Sequence, residues 1–98
     1  MARLQLAPKV GDDLDRIVDH LLQHEVADAT SRVEDIMRAI DVLERSPLIG
    51  RVVRADLRDL VIGRRAHSYV ALYRYVAEID TVFVLAIRRQ KEAGYTGT

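Results

Sequence analysis

The second half of the chain carries nine basic residues, of which eight are arginines. The planar guanidinium of arginine donates paired hydrogen bonds to carboxylates and phosphates. The nine residues are Arg51, Arg54, Arg58, Arg64, Arg65, Arg74, Arg88, Arg89 and Lys91. This half holds five acidic residues, whereas the first half holds ten acidic and six basic residues. The split, hidden by a net charge of zero, indicates either an ordinary solvated surface or a face that binds an anion or an acidic partner.

Three tyrosines share one face of a predicted strand beside these arginines: Tyr69, Tyr73 and Tyr75. Aromatic rings among arginines can stack RNA bases while the guanidinium groups hold phosphates. The same pattern is also typical of rings that fill a core beneath helices. Arg74 falls on the opposite face of this strand, where it requires an acidic partner or an open, solvated surface. Both pairs of alternatives stay open at the level of the sequence.

His20 and His24 lie four residues apart on a predicted helix, which is a spacing found in metal sites. No third ligand is evident beyond Asp19 or Glu25. The preferred interpretation is two exposed helical histidines, and the sequence predicts no metal site.

Other signatures of catalysis are missing from the sequence. The adjacent carboxylates Asp12 and Asp13 lie at a predicted helix start, where the helix dipole is sufficient to explain them. There is no Walker A motif, dinucleotide fingerprint or nucleophile elbow. The absence of cysteine excludes a thiolate nucleophile, a disulfide and a thiolate metal site. We therefore expect no cofactor and no conventional small-molecule enzyme.

Hydropathy periodicity predicts the element order strand, helix, helix, strand, strand, strand. Alternation over residues 3–7 predicts the first strand, and an apolar stripe predicts a helix of about 16 residues that begins at Pro8. A second stripe predicts a helix from about Ala27 to Arg45, which Pro47 terminates. The segment Leu48-Ile49-Gly50-Arg51 is interpreted as a turn in which Gly50 can adopt a positive φ. The remaining strands are predicted at 57–62, 69–77 and 81–88.

These elements predict the α+β class. The short connection between the helices makes an antiparallel hairpin, and its apolar stripes require a sheet to cover. We expect an N-terminal strand and this hairpin packed on one face of a small, mainly antiparallel four-stranded sheet (β-α-α-β-β-β). The strand at 81–88 is apolar on both faces, so it is expected near the centre of the sheet. The single domain spans residues 1–98, and the uncovered sheet face is the expected place for function.

The composition of the chain bears on its cellular location. Hydrophobic residues make up 49% and charged residues 31%, which is too apolar for disorder and too charged for a membrane protein. The longest apolar run, Val82 to Ile87, is far shorter than the ~20 residues that span a bilayer. The first residues show no apolar signal-peptide region. Together with the lack of cysteine, these features predict a cytoplasmic protein with no membrane partner.

Six short segments, each present once, follow one another in a characteristic order and spacing over nearly the whole chain. They are Ala7-Pro8, Asp13-Leu14 with Ile17, Ser46-Pro47-Leu48-Ile49-Gly50-Arg51, Leu57-Arg58-Asp59-Leu60, Tyr69-Val70-Ala71-Leu72-Tyr73-Arg74 and Val84-Leu85-Ala86-Ile87-Arg88-Arg89-Gln90. In this arrangement the chain resembles the RelE/ParE family of toxins from bacterial type II toxin–antitoxin systems. The resemblance implies a compact α+β toxin whose surface is wrapped by a neutralising antitoxin.

Members of this family differ in target. Those that resemble RelE cleave messenger RNA in the ribosomal A site, whereas those that resemble ParE are not nucleases and poison DNA gyrase. Attack by a 2′-OH needs a proton acceptor, cationic stabilisation and usually a proton donor, and arginine serves only the second role. RelE-like active sites are rich in lysine and arginine, with a C-terminal tyrosine. This chain has two lysines, Lys91 and Lys9, and Lys9 lies at the other end of the sequence.

The resemblance therefore favours a ParE-like toxin that inhibits gyrase by protein binding and is not an enzyme. The alternative is a ribosome-dependent mRNA endoribonuclease that uses Arg64, His67 as a possible base, Arg89 and Tyr95. A third possibility is a family member without toxicity that only binds its antitoxin. The expected partner is an acidic, partly disordered ParD-like antitoxin that forms a hetero-oligomer with the toxin and lays apolar anchors in a groove beside the hairpin. The predicted target- or antitoxin-binding residues are Arg58, Arg64, Arg65, Arg74, Arg88, Arg89, Lys91 and Tyr95.

Overall fold

The computed structural model describes residues 1–24, 27–63 and 68–90. Its elements are β1 (Arg3–Leu6), α1 (Pro8–Gln23), α2 (Ala29–Val42), β2 (Arg51–Arg54), β3 (Leu57–Ile62), β4 (Tyr69–Val76) and β5 (Thr81–Arg89). The predicted strands and helices are present close to their expected bounds. Helix α2 is shorter than predicted at both ends, because residues 27–28 and 43–45 form turns.

The strands form one sheet in the order β1-β5-β4-β3-β2. β1 is parallel to β5, and every other pair of neighbours is antiparallel. β5 therefore has a strand on each side, as expected from its two apolar faces. Since β1 lies beside β5, the chain that leaves β1 enters α1 next to the second half of β5.

Within the described residues the sheet has five strands rather than the four predicted. The additional strand is β2, which begins at Arg51, the residue that the sequence placed at the end of a turn. All four residues of β2 are exposed, so the strand lacks the alternation between buried and exposed side chains that sequence analysis relies on. Among the described strands it lies at the edge of the sheet and pairs with β3 alone.

The two helices cover one face of the sheet, as predicted. The core joins side chains of both layers: Ile17, Leu21, Ile36, Ile40, Leu43, Tyr69, Ala71, Tyr73, Val82, Val84 and Ile87. Side chains alternate across a strand, so Leu72 and Arg74 lie on the opposite face of β4 from the buried Tyr73. This second face is called the open face below.

The close packing around position 50 leaves room only for glycine. The amide of Gly50 donates a hydrogen bond of 2.8 Å to the hydroxyl of Tyr73, whose ring is fully buried. A Cβ atom on Gly50 would lie 2.6 Å from Cε1 of Tyr73 and 2.8 Å from the carbonyl oxygen of Asp59. Gly50 does not adopt a positive φ, so the interpretation of this glycine as a left-handed turn residue was wrong.

Asp13 connects α1 to β5. Its side chain is 1% exposed, and its Oδ2 accepts a hydrogen bond of 2.9 Å from the amide of Ile87. Pairing between β1 and β5 ends at Val84, so this amide lies where α1 has replaced β1 as the neighbour of β5. The helix dipole therefore does not suffice to explain Asp13, because its carboxylate is the hydrogen-bond partner of a strand amide.

The charged form of Asp13 is stabilised despite its burial. Burial alone raises the pKa of the carboxyl group, but the hydrogen bond from Lys9, the bond from the Ile87 amide and the charges of Lys9 and Arg16 outweigh it. The pKa of Asp13 therefore lies below its ordinary value of 3.8. The folded protein binds this proton less readily than the unfolded chain does.

Replacement of Gly50 by alanine tests the close approach to Tyr73. We expect Gly50→Ala to lower the free energy of unfolding by about 2 kcal/mol or more, because the rigid ring and backbone must move. Gly11 in α1 is the matched control, since a Cβ there meets nothing within 4 Å. Gly11→Ala should raise stability by up to about 1 kcal/mol through helix propensity. Urea unfolding measures the free energy of unfolding of both variants. Equal changes in Gly50→Ala and Gly11→Ala would contradict the packing argument.

Replacement of Asp13 tests the link between α1 and β5. Asp13→Ala should lower the free energy of unfolding at pH 7 by about 1–3 kcal/mol, because the Ile87 amide loses its partner. The depressed pKa adds stability that is fully present above the ordinary value of 3.8 and is lost as pH falls through the lower pKa of the folded protein. The difference between wild type and variant should therefore narrow below about pH 4. Asp12→Asn, at an exposed neighbour, serves as control and should change stability by less than about 0.5 kcal/mol.

Candidate binding site between α1 and β5

A cavity of about 540 Å³ lies where the first half of α1 passes β5. It is lined by Lys9, Arg16, Leu72, Leu85, Ala86 and Arg88. We call it the α1–β5 cavity. The cations come from both halves of the sequence, and the apolar residues come from two adjacent strands. The pairing of β1 with β5 and the contact between Asp13 and Ile87 bring these segments together.

An irregularity in β5 forms the apolar part of the cavity. Leu72 pairs with Ala86 and Tyr73 pairs with Val84, which leaves Leu85 as an additional residue in β5. Such a bulge turns side chains away from the regular alternation. Leu85 and Ala86 can therefore both line the cavity although they are neighbours in the sequence.

The α1–β5 cavity has an excess of positive charge. Nζ of Lys9 lies 2.7 Å and Nη1 of Arg16 lies 3.2 Å from the same Oδ1 of Asp13. Their side chains remain 62% and 52% exposed, so their other donors face solvent. Arg88 is exposed and makes no ion pair with any carboxylate among the described residues. One buried carboxylate thus stands against three cations, an arrangement suited to binding an anionic group.

Arg88 and Arg89 are separated although they are adjacent in the sequence. Arg88 lines the α1–β5 cavity, whereas Nη1 of Arg89 lies 2.7 Å from Nε2 of His20 on α1. A guanidinium only donates, so Nε2 of His20 is the acceptor in this contact. Nδ1 of His24 lies 2.8 Å from the carbonyl oxygen of His20. Within the described ranges, no three His, Cys, Asp or Glu side chains are grouped to hold a metal ion.

Arg58 and Arg74 are engaged elsewhere. Arg58 donates to the carbonyl oxygens of Leu48 and Gly50, at 3.1 and 2.8 Å, and supports the loop before β2. Arg74 forms an ion pair of 2.6 Å with Asp56, and about half of each side chain is exposed. The hydrogen bond from Arg74 is the main cause that lowers the pKa of Asp56. Both alternatives for Arg74 therefore hold, because it has an acidic partner and lies on the open face.

Arg74 is distant from the α1–β5 cavity. Along β4 it pairs with Phe83, whereas Arg88 pairs with Val70. Four residues of strand correspond to ~13 Å. The described arginines therefore do not form a single cluster. The other predicted site residues, Arg64, Arg65, His67, Lys91 and Tyr95, lie outside the described residues.

The tyrosines of β4 belong to the helix-covered face. Tyr69 and Tyr73 are buried in the core, and Tyr75 packs partly against it. The hydroxyl of Tyr75 donates a hydrogen bond of 2.7 Å to Asp80, which is the main cause that raises the pKa of Tyr75. Of the two interpretations of these rings, the core interpretation is confirmed for Tyr69 and Tyr73.

Sequence analysis missed Lys9 and Arg16 as candidate site residues. Their spacing from Asp13, at i–4 and i+3, was a readable sign of ion pairs on one helix face. Their proximity to Arg88 follows from the parallel pairing of β1 with β5, which joins opposite ends of the chain and leaves no local pattern.

A second cavity, of about 310 Å³, lies between the helices. It is lined by Val18 and Leu22 of α1 and by Ala29, Thr30, Val33 and Glu34 of α2. We call it the hairpin groove. The side chain of Leu22 is among the exposed large apolar side chains, so the groove is open to solvent. An apolar groove between two helices suits the apolar face of a partner helix.

Comparison with known proteins assigns the family. Residues 4–94 match the family described as ParE toxin of type II toxin-antitoxin system, parDE. Comparison of the sequence with curated proteins gives no match. No helix of the described residues has the length and apolar character needed to cross a bilayer.

Solved structures share the fold. A chain of the chromosomal ParDE system from P. aeruginosa is 25% identical, with a TM-score of 0.73, and the match covers 91% of this chain and 96% of that one. The intact RelBE complex from E. coli gives 16% identity, a TM-score of 0.63 and the same coverages. RelBE2 from Mycobacterium tuberculosis gives 23% identity, a TM-score of 0.54 and coverages of 91% and 98%. The chain belongs to the ParE toxin family of type II toxin–antitoxin systems.

Proposed function

We propose that this protein is a ParE-like toxin that inhibits DNA gyrase by binding it and is neutralised by a cognate ParD-like antitoxin. The match to the ParE family over residues 4–94 carries the proposal. The likeness to the P. aeruginosa ParDE system, at 25% identity over 91% of the chain, supports it. The protein acts as a single domain in the bacterial cytoplasm and forms a hetero-oligomer with its antitoxin.

The chemistry of the α1–β5 cavity supports the binding of an anionic or acidic partner. RNA cleavage requires a proton acceptor beside the cations. The carboxylate of Asp13 is buried, and both its oxygens are occupied by donors. His20 does not line this cavity, and its Nε2 contacts Arg89. Among the described residues that line the cavity, none is a carboxylate, imidazole or phenol, and the amine of Lys9 is held in an ion pair with Asp13.

The hairpin groove supports an antitoxin partner. Leu22 in its lining is exposed in the isolated chain, and a partner that covers this apolar side chain would gain binding energy from its burial. An antitoxin segment that folds on binding can supply that cover as an amphipathic helix. The expected contact consists of aliphatic anchors between Val18, Leu22 and Val33.

Gyrase inhibition is tested with the purified full chain. The toxin should inhibit supercoiling of relaxed plasmid by gyrase or trap cleaved DNA. Toxin preincubated with the protein encoded by the adjacent reading frame should lose this effect, which controls for contaminants. Toeprinting on translating ribosomes should show no A-site cuts. Cuts in the A site without any effect on gyrase would refute the proposal in favour of the ribonuclease.

Antitoxin binding in the hairpin groove is tested with two leucines of nearly equal exposure. Leu22 in the groove is 61% exposed, and Leu48 in the loop before β2 is 58% exposed. Leu22→Ser should weaken antitoxin affinity about tenfold or more, since burial of a leucine contributes about 2 kcal/mol. Leu48→Ser should change it less than about threefold, because this leucine lies outside the groove.

Calorimetric titration measures both affinities, and thermal unfolding checks that both variants remain folded. Equal losses for the two variants would argue for a contact that is not centred on the groove. An unchanged affinity for Leu22→Ser would contradict the groove as the antitoxin site.

A further inference from the structure

We propose that the α1–β5 cavity binds an acidic peptide segment in extended conformation. The carboxylate of one Asp or Glu occupies the cationic side of the cavity, and the aliphatic residue next to it covers the apolar side. The inference rests on the proposed function in one respect: the antitoxin is the partner expected to supply such a segment. It adds the place and the chemistry of that contact, including two cations from the first half of the chain.

The charges define the anionic part of the ligand. Lys9 and Arg16 share Oδ1 of Asp13, so the single negative charge of Asp13 cannot neutralise both. Arg88 adds a third positive charge. The guanidinium of Arg16 uses one bond to Asp13 and retains further donors for a second carboxylate. An incoming carboxylate therefore offsets part of the positive charge that Asp13 leaves uncompensated.

The apolar side chains define the remainder of the ligand. Leu72, Leu85 and Ala86 line the same cavity and offer no hydrogen bonds. The volume of about 540 Å³ is several times that of one carboxylate, so there is space for two or three residues. A free inorganic anion would leave the apolar side uncovered, whereas an aliphatic residue next to the acid covers it.

A nucleic acid fits the cavity less well than a peptide. Phosphates would satisfy the cations, but unpaired bases bind by stacking on exposed aromatic rings. No aromatic side chain lines the α1–β5 cavity among the described residues. The rings of Tyr69 and Tyr73 are buried on the other face of β4. Aliphatic side chains favour an aliphatic peptide.

The experiment titrates the full chain, labelled with ¹⁵N, with acetyl-Leu-Glu-Leu-Asp-Leu-amide. The amide resonances of Leu85, Ala86 and Arg88 should shift and saturate with a Kd of about 1 mM or tighter, as expected for a short contact. The neutral peptide acetyl-Leu-Gln-Leu-Asn-Leu-amide has the same shape and should give no saturable shift. Inorganic phosphate and a ten-nucleotide polyuridine are titrated in parallel.

Variants assign the effect to the cavity. Arg88→Gln and Lys9→Gln should each raise the Kd of the acidic peptide about tenfold, because each removes a charge-assisted contact. Arg45→Gln is the matched control, since Arg45 is exposed after α2 and outside this cavity. It should leave the Kd within about twofold of wild type.

Three outcomes would overturn the inference. Equal binding of the neutral peptide would show that charge does not matter, and equal binding of phosphate would show that the apolar side does not. Tighter binding of polyuridine, lost in Arg88→Gln, would assign the cavity to nucleic acid. The titration contains neither gyrase nor antitoxin, so its failure leaves the gyrase assay standing, and failure of that assay leaves the peptide result standing.

Discussion

The hydrogen bond from the Ile87 amide to the buried carboxylate of Asp13 fixes the arrangement on which the α1–β5 cavity depends. β5 continues beyond the end of β1, and the buried amide of Ile87 in this part of β5 needs an acceptor. A hydrogen bond to a charged group contributes ~1.5–3 kcal/mol, more than one between neutral groups. Because Asp13 sits one turn from Lys9 and from Arg16, the bond that docks α1 on the sheet also brings both cations beside Arg88.

The ion pairs of Lys9 and Arg16 with Asp13 stabilise the buried carboxylate and still leave positive charge that can bind a ligand. Burial of the Asp13 carboxylate would be unfavourable without compensation, and two nearby cations lower its pKa despite that burial. Exposed ion pairs add little stability by themselves, since solvent screens them. The cations therefore matter for keeping Asp13 ionised, while their exposed donors remain available to a ligand.

Local sequence patterns predicted the helices, four strands and the layer arrangement, because each gives a periodicity within its own segment. They failed for β2, whose four residues are all exposed, and for Gly50, whose constraint comes from Tyr73 across the sheet. They also failed for Asp13, where the helix start offered a sufficient local explanation. In the candidate site they found Arg88 but missed Lys9, because pairing of β1 with β5 is a contact between distant parts of the chain.

The fold by itself does not determine the target, since ParDE and RelBE chains both share it. A difference in target between relatives must therefore come from the side chains that the common fold presents. In this chain the α1–β5 cavity combines three cations with aliphatic side chains, and the buried Asp13 is fully engaged. Such a surface suits an acidic, aliphatic segment, as proposed above. The proposed recognition of a peptide segment therefore rests on these side chains and not on the backbone that the relatives share.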